Sequence, residues 1–188
     1  MSPKGRAFVA VVPPAAVLDG IEEALAPVEH LVPAARWTTR AQRHVTLRYL
    51  GTRVDLEAVA GALGGLAVAG GDVRLRGGGG FPDERRGSVL WAGVPEGAGL
   101  LGRLAGAVGE LLTPLGHEPD GRGFHPHLTL ARLRTPGDLR AAIAALGQRE
   151  LGPAWHVEEV VLFRSETRPE GARYEAVARI PTPPPAGS

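Results

Sequence analysis

The chain of 188 residues contains no cysteine. That removes disulfide frameworks, thiol nucleophiles and cysteine-ligated zinc from consideration. Lysine is nearly absent: apart from Lys4, every basic residue is arginine. A P-loop needs Gly-Lys-Ser/Thr behind its glycines, but the run Gly77–Gly80 leads into Phe81-Pro82, so a flexible turn is expected there. No apolar run reaches 18 residues and no apolar leader segment is evident, so the expectation is a soluble, cytoplasmic protein without membrane association. Aromatic residues are only 5% of the chain; with so few, Trp37 and Trp91 are expected in packing, nucleotide stacking being the alternative. A net charge of +1 provides no overall field to gather nucleic acid. Arginine does suit bidentate phosphate contacts, but its abundance alongside Ala, Gly and Pro reads as coding bias.

What the chain has is a tetrad, His-x-Thr-Leu, present twice: His44-Val45-Thr46-Leu47 and His127-Leu128-Thr129-Leu130. In a strand, residues i and i+2 share a face. Each tetrad therefore reads as a half-buried strand that presents an imidazole and a hydroxyl on one side. Val45 and Leu47, or Leu128 and Leu130, face the other side. Two such imidazoles are what hydrolysis of a phosphodiester without a metal requires, one as base and one as acid. A single copy would read as an ordinary satisfied histidine.

The surroundings repeat as well. A strand run at 7–12, a helical pattern over 13–30 and then His44 are matched by a strand run at 88–94, a helical pattern over 97–116 and then His127. From Phe8 to His44 is 36 positions, and from Leu90 to His127 is 37. Helical stretches follow at 54–66 and 137–147, then strands at 72–76 and 156–163. A final alternating strand covers 174–180. Such a duplication predicts an α+β, bilobal fold. Two antiparallel-rich sheets would face a central cleft, with helices outside and both tetrads meeting across it. One bilobal domain over residues 1–180 is expected, followed by a disordered tail at 181–188 (PTPPPAGS). A monomer is expected.

Other chemistry is weaker. His125 and His127 form a His-x-His pair near His117, Glu118 and Asp120, which suggests a metal-dependent hydrolase. The first tetrad has no such carboxylates, so a metal leaves the duplication unexplained; the expectation is no metal and no cofactor. A non-catalytic module that binds RNA ends or nucleotides in the same cleft is a further alternative. Arg36, Arg40 and Arg43 precede His44 and are expected at the cleft rim, contacting RNA phosphates, with a solvated loop as the alternative.

The motifs resemble those of the two-histidine phosphoesterase superfamily, and within it the RNA 2′,3′-cyclic phosphodiesterases, also called 2′-5′ RNA ligases. The resemblance spans about residues 6–180. It rests on both tetrads, on the run Pro126-His127-Leu128-Thr129-Leu130-Ala131-Arg132, and on supporting matches. These include Arg6-x-Phe8, Pro13-Pro14, Arg36-Trp37, Gly80-Phe81-Pro82, Leu162-Phe163 and Tyr174. The Arg40-Ala41-Gln42-Arg43 segment departs from the Pro-Glu-Asn-Leu-like residues common before the first histidine. The resemblance implies a substrate that is RNA or a nucleotide with a 2′,3′-cyclic phosphate, opened to a 2′-phosphate, and a site that can also run backwards as a ligase. It implies His44 as acid and His127 as base, although the two motifs are nearly equivalent in sequence. It also implies phosphate binding by Thr46, Thr129 and Arg132. Strict alternation puts Arg132 on the face opposite His127; a bulge, a strand end or arginine's reach would each reconcile the two.

Overall fold

A computed structural model describes residues 4–118, 121–169 and 171–185. Among these residues nine strands and four α-helices follow one another as β1 (Lys4–Val11), α1 (Ala15–Leu25), β2 (Ala35–Trp37), β3 (Val45–Asp55), α2 (Leu56–Leu63), β4 (Asp72–Phe81), β5 (Gly87–Glu96), α3 (Ala98–Leu112), β6 (His127–Gly137), α4 (Arg140–Leu146), β7 (Trp155–His156), β8 (Glu159–Arg168) and β9 (Gly171–Pro181).

The helices form where the apolar spacing predicts them, but shorter. α1 starts behind Pro14, whose fixed φ suits the approach to a helix, and buries Val17, Ile21, Ala24 and Leu25. α2 is capped by Asp55, whose carboxylate accepts from the Ala58 amide at 3.1 Å, and stops at Gly64. α3 buries Leu100, Leu101, Leu104, Val108 and Leu112. These side chains, with the inward residues of the strands, make one continuous apolar core.

The strands run antiparallel in the order β7-β4-β5-β6-β3-β1-β8-β9, with β2 added beside β6. Two antiparallel halves are present, β4-β5-β6 and β3-β1-β8, and they join at one register pair, Val45 opposite Leu128. The halves do not coincide with the sequence repeats. The first repeat contributes β1 and β3 to one half but sends β4 to the other; the second contributes β5 and β6 and returns β8 to lie against β1. In strand order β1 beside β3 is matched by β5 beside β6, and β8 beside β1 by β4 beside β5.

Two expectations are corrected. Gly77–Gly80 is not a flexible turn but part of β4. The glycines are there because the Trp91 ring lies across Gly79, where a Cβ would sit 2.2 Å from Trp91 Cζ2, and Leu146 fills the space over Gly78. The chain is also held beyond residue 180. The Thr182 amide donates to Glu158 O at 2.8 Å and the Gly70 amide to Pro183 O at 3.3 Å. Of the expected tail, 186–188 lie outside the described residues. Among the described residues, no helix is long and apolar enough to cross a membrane.

Candidate active site

The tetrads occupy equivalent places at the junction of the two halves. Val45 and Leu128 pair in antiparallel register, which sets His44 across from Thr129 and His127 across from Thr46. Val45, Leu47, Leu128 and Leu130 are buried, as the alternation requires. His44, Thr46, His127 and Thr129 line a cleft of about 370 Å³, together with Arg6, Phe8, Arg36, Trp37, Thr38, Gln42, Tyr49, Arg132, Ser165, Ala172 and Tyr174.

Both imidazoles are oriented in the same way. His44 Nδ1 lies 2.8 Å from Gln42 O and His127 Nδ1 lies 2.8 Å from His125 O. A carbonyl oxygen only accepts, so Nδ1 carries the hydrogen in each ring. Nε2 is thereby left as the titrating nitrogen. Thr46 Oγ1 stands 3.1 Å from His44 Nε2.

The two rings differ in surroundings. His44 stacks on Phe8 with ring centroids 4.6 Å apart and meets the Tyr174 ring edge-on at 5.3 Å. Burial among these rings pulls its pKa down from 6.5 to about 4, and the charges of Arg132 and His127 push the same way against the Gln42 carbonyl. His127 is more open, with Phe81 edge-on at 5.0 Å. Burial again lowers its pKa, helped by His125 and Arg132 and opposed by the His125 carbonyl. In the free protein both imidazoles are therefore neutral at pH 7.

Arg132 reaches the cleft through a bulge. On β5, Leu90 faces Ala131 and Trp91 faces Thr129, so Leu130 is an extra residue in β6. Leu130 and Ala131 are both buried, and the alternation restarts with Arg132 on the histidine face. Thr38 secures this distortion. Its hydroxyl lies 3.1 Å from Thr129 O and 3.0 Å from Leu130 O, and its amide donates to Leu130 O at 2.9 Å. Gln42 ties the opposite rim: its side chain donates to Ala172 O at 2.8 Å and accepts from the Thr39 amide at 3.1 Å.

Of the three loop arginines, Arg36 lines the cleft, whereas Arg40 and Arg43 are turned away and engaged by α1. Arg40 Nη1 meets Asp19 at 2.7 Å and Glu22 at 3.1 Å. Arg43, only 6% exposed, meets Glu22 at 3.3 Å. Their expected contact with RNA does not fit this placement. The short 3-10 turn at Arg40–Gln42 faces both side chains toward the acidic side of α1. His125 and His127 also diverge. Their centroids are 6.0 Å apart, and His125 lines a separate depression with Phe124 and Pro126. Among the described residues no three His, Asp or Glu side chains are gathered as a metal site; Asp120 lies outside them. The sequence reading gave no site role to Arg6, Thr38, Gln42 or the ring set Phe8, Phe163 and Tyr174. Strand pairing brings the rings together, and no local spacing signals it.

Comparison with known proteins agrees with this geometry. The family model described as the 2′-5′ RNA ligase superfamily matches residues 12–169. A curated protein from Aeropyrum pernix, named RNA 2′,3′-cyclic phosphodiesterase, is 38% identical over 142 residues, covering 73% of this chain and 80% of its own. A Geobacillus stearothermophilus protein of the same name is 30% identical, covering 80% of this chain and 48% of its own. Among solved structures, TT0787 of Thermus thermophilus superposes with a TM-score of 0.80 at 30% identity, covering 96% of this chain and 99% of that one. Escherichia coli LigT complexed with 3′-AMP superposes with a TM-score of 0.77 at 25% identity over the same shares of the two chains. With its paired tetrads in one cleft and the family match over most of its length, the chain belongs to the 2′-5′ RNA ligase superfamily.

Proposed function

We propose that the protein hydrolyses the 2′,3′-cyclic phosphate at the end of an RNA or nucleotide to a 2′-phosphate, without a metal. The observation that carries this reading is the pair of equivalent imidazoles, each pinned at Nδ1 and each with Nε2 left as its titrating nitrogen in the same cleft. In the proposed step His127 Nε2 takes a proton from water as the oxygen attacks phosphorus. The bond from phosphorus to the ribose 3′-oxygen breaks, and His44 Nε2 gives that oxygen its proton. The products are a 2′-phosphomonoester and a 3′-hydroxyl. The more open His127 suits the group that meets water; the enclosed His44 suits the group that holds the leaving oxygen. Thr46, Thr129 and Arg132 would receive the charge that builds on the non-bridging oxygens.

Since both rings are neutral in the free protein, the acid must gain its proton when substrate binds. The negative phosphate between two desolvated imidazoles raises both pKa values and favours one shared proton. The same displacement with a 5′-hydroxyl attacking phosphorus in place of water, its proton taken by His127 and the leaving 3′-oxygen protonated by His44, would give a 2′-5′ linkage.

Turnover of a 2′,3′-cyclic nucleotide in excess EDTA tests the reading, with the product resolved as 2′- or 3′-phosphate. A 2′-phosphate formed at an undiminished rate is expected. Binding without turnover would mean a non-catalytic module, and loss of activity restored by a divalent metal would mean a metal-bound hydroxide.

A further inference from the structure

The cleft holds more positive charge than one cyclic phosphate needs. Its lining includes Arg6, Arg36 and Arg132 and no carboxylate. Among the described residues, none of the three forms an ion pair. Nearby acids are already engaged: Asp19 and Glu22 with Arg40 and Arg43, Glu175 with Arg164, and Glu166 with Arg164 and Arg168. Among the described residues, Arg40, Arg43, Arg164 and Arg168 beside the cleft are thus paired with acids, and the three arginines that line it are not.

Two of the three are set against each other. Arg36 on β2 lies directly opposite Arg132 on β6 in antiparallel register. Like charges placed directly opposite on neighbouring strands are destabilising, and among the described residues no acid is paired with either of them. The Arg36 side chain runs toward β9. Its guanidinium lies over Gly171, where a Cβ would come within 2.4 Å of Nη2, and Gln42 fastens the adjoining Ala172 to the same rim. Arg6 enters from the other side on β1, opposite Ser165 of β8. Arg132 is the guanidinium whose charge is felt at both imidazoles and at Tyr174, which assigns it to the phosphate that reacts.

We infer that Arg36 and Arg6 form a second anion subsite, which takes a phosphate on the same nucleotide as the cyclic diester. The group that fits is the 5′-phosphate, which in an RNA chain is the first internucleotide phosphate. The substrate class is then a cyclic nucleotide that carries a second phosphate, with the lone cyclic mononucleotide a poorer fit. This inference rests on the reading of the cleft as a cyclic-phosphate site.

The test measures binding apart from turnover. Titration calorimetry compares adenosine 2′,5′-bisphosphate with 2′-AMP at several salt concentrations. The bisphosphate should bind about ten- to a hundredfold tighter, as expected of an added charge-assisted contact, and with a steeper salt dependence. Arg36→Ala and Arg6→Ala should each reduce that preference about tenfold, Arg36→Lys should restore part of it, and Arg40→Ala should keep it. Equal affinity of the native protein for both ligands would overturn the inference. So would proportionate loss for both ligands in Arg36→Ala and Arg6→Ala, because those arginines would then serve the reacting phosphate. Hydrolysis of a 2′,3′-cyclic nucleotide that carries a 5′-phosphate is assayed alongside. Its absence, with the bisphosphate preference intact, would remove the proposed reaction and leave the second subsite standing.

Discussion

Replacing His44 by glutamine should flatten the acid side of the protein's stability profile. His44 has a pKa of about 4 in the folded protein against 6.5 ordinarily. Between those two values the unfolded chain binds a proton at position 44 that the folded protein does not, so stability falls as the pH falls. From the two pKa values the loss is about 2 kcal/mol at pH 5 and about 3 kcal/mol at pH 4, and it vanishes above pH 7. Glutamine has nothing to titrate. Urea unfolding of both proteins at pH 7.5, 6 and 5 should show the variant gaining on the wild type by about 2 kcal/mol across that range. Other acid-sensitive groups cancel in the difference. Asp138, held to about 2 by Arg140, and Glu166, held down by Arg168, lose stabilisation on acidification in both proteins. His127 adds its own loss on acidification to both. A difference that stays flat with pH would refute the reasoning, because His44 would then be protonated in the folded protein as readily as in water. The same neutrality should appear on binding: 2′-AMP at pH 7 should draw protons from the buffer, read as a binding enthalpy that varies with the buffer's ionisation heat.

His44→Ala and His127→Ala should each lower kcat/KM by roughly 10²–10⁴-fold with the fold retained, whereas His125→Ala should keep much of the activity. The profile of kcat/KM against pH should be a bell whose acid limb lies below 6.5, since both folded-state pKa values are lowered; an acid limb at or above 6.5 would contradict the burial argument. Arg40→Ala should leave the urea midpoint nearly unchanged, as for an exposed ion pair, and the combined Arg40→Ala, Arg43→Ala variant should treat oligonucleotide and mononucleotide substrates alike. Selective loss on oligonucleotides would return those arginines to an RNA track. Gly79→Ala should displace Trp91 and destabilise the fold by about 1–3 kcal/mol in thermal unfolding, the usual result of overpacking; an unchanged Tm would show that the ring does not rest on that strand.

The histidines and threonines of the cleft are legible in the sequence because strand alternation and duplication are both local patterns. So is the outline of each repeat. Arg132 is ambiguous there because its face depends on one extra residue, Leu130, that only pairing with β5 reveals. Arg40 and Arg43 point elsewhere than expected because their partners Asp19 and Glu22 sit a helix and a loop earlier, and proximity in sequence to His44 says nothing of direction. Gly77–Gly80 reads as a turn by composition, and becomes a strand because a tryptophan on the neighbouring strand occupies the room that side chains would need. The aromatic surroundings of His44 come from β1, β8 and β9, whose mutual pairing no short window of sequence records.

The crossing of third strands between the halves governs the order in which the protein can be completed. During synthesis β1 emerges first and finds β3 soon after. Its other edge must wait for β8, where Phe8 meets Phe163 near the end of the chain. Until then an apolar strand has one row of amide and carbonyl groups open to any competing strand. Long-range pairing of this kind is slow. The first histidine's stacking partner Phe8 is in place early, but Phe163 and Tyr174 close around them last. A nascent chain therefore carries both tetrads well before it carries the dry pocket that keeps His44 neutral, and the walls of the cleft are complete only with the final hairpin.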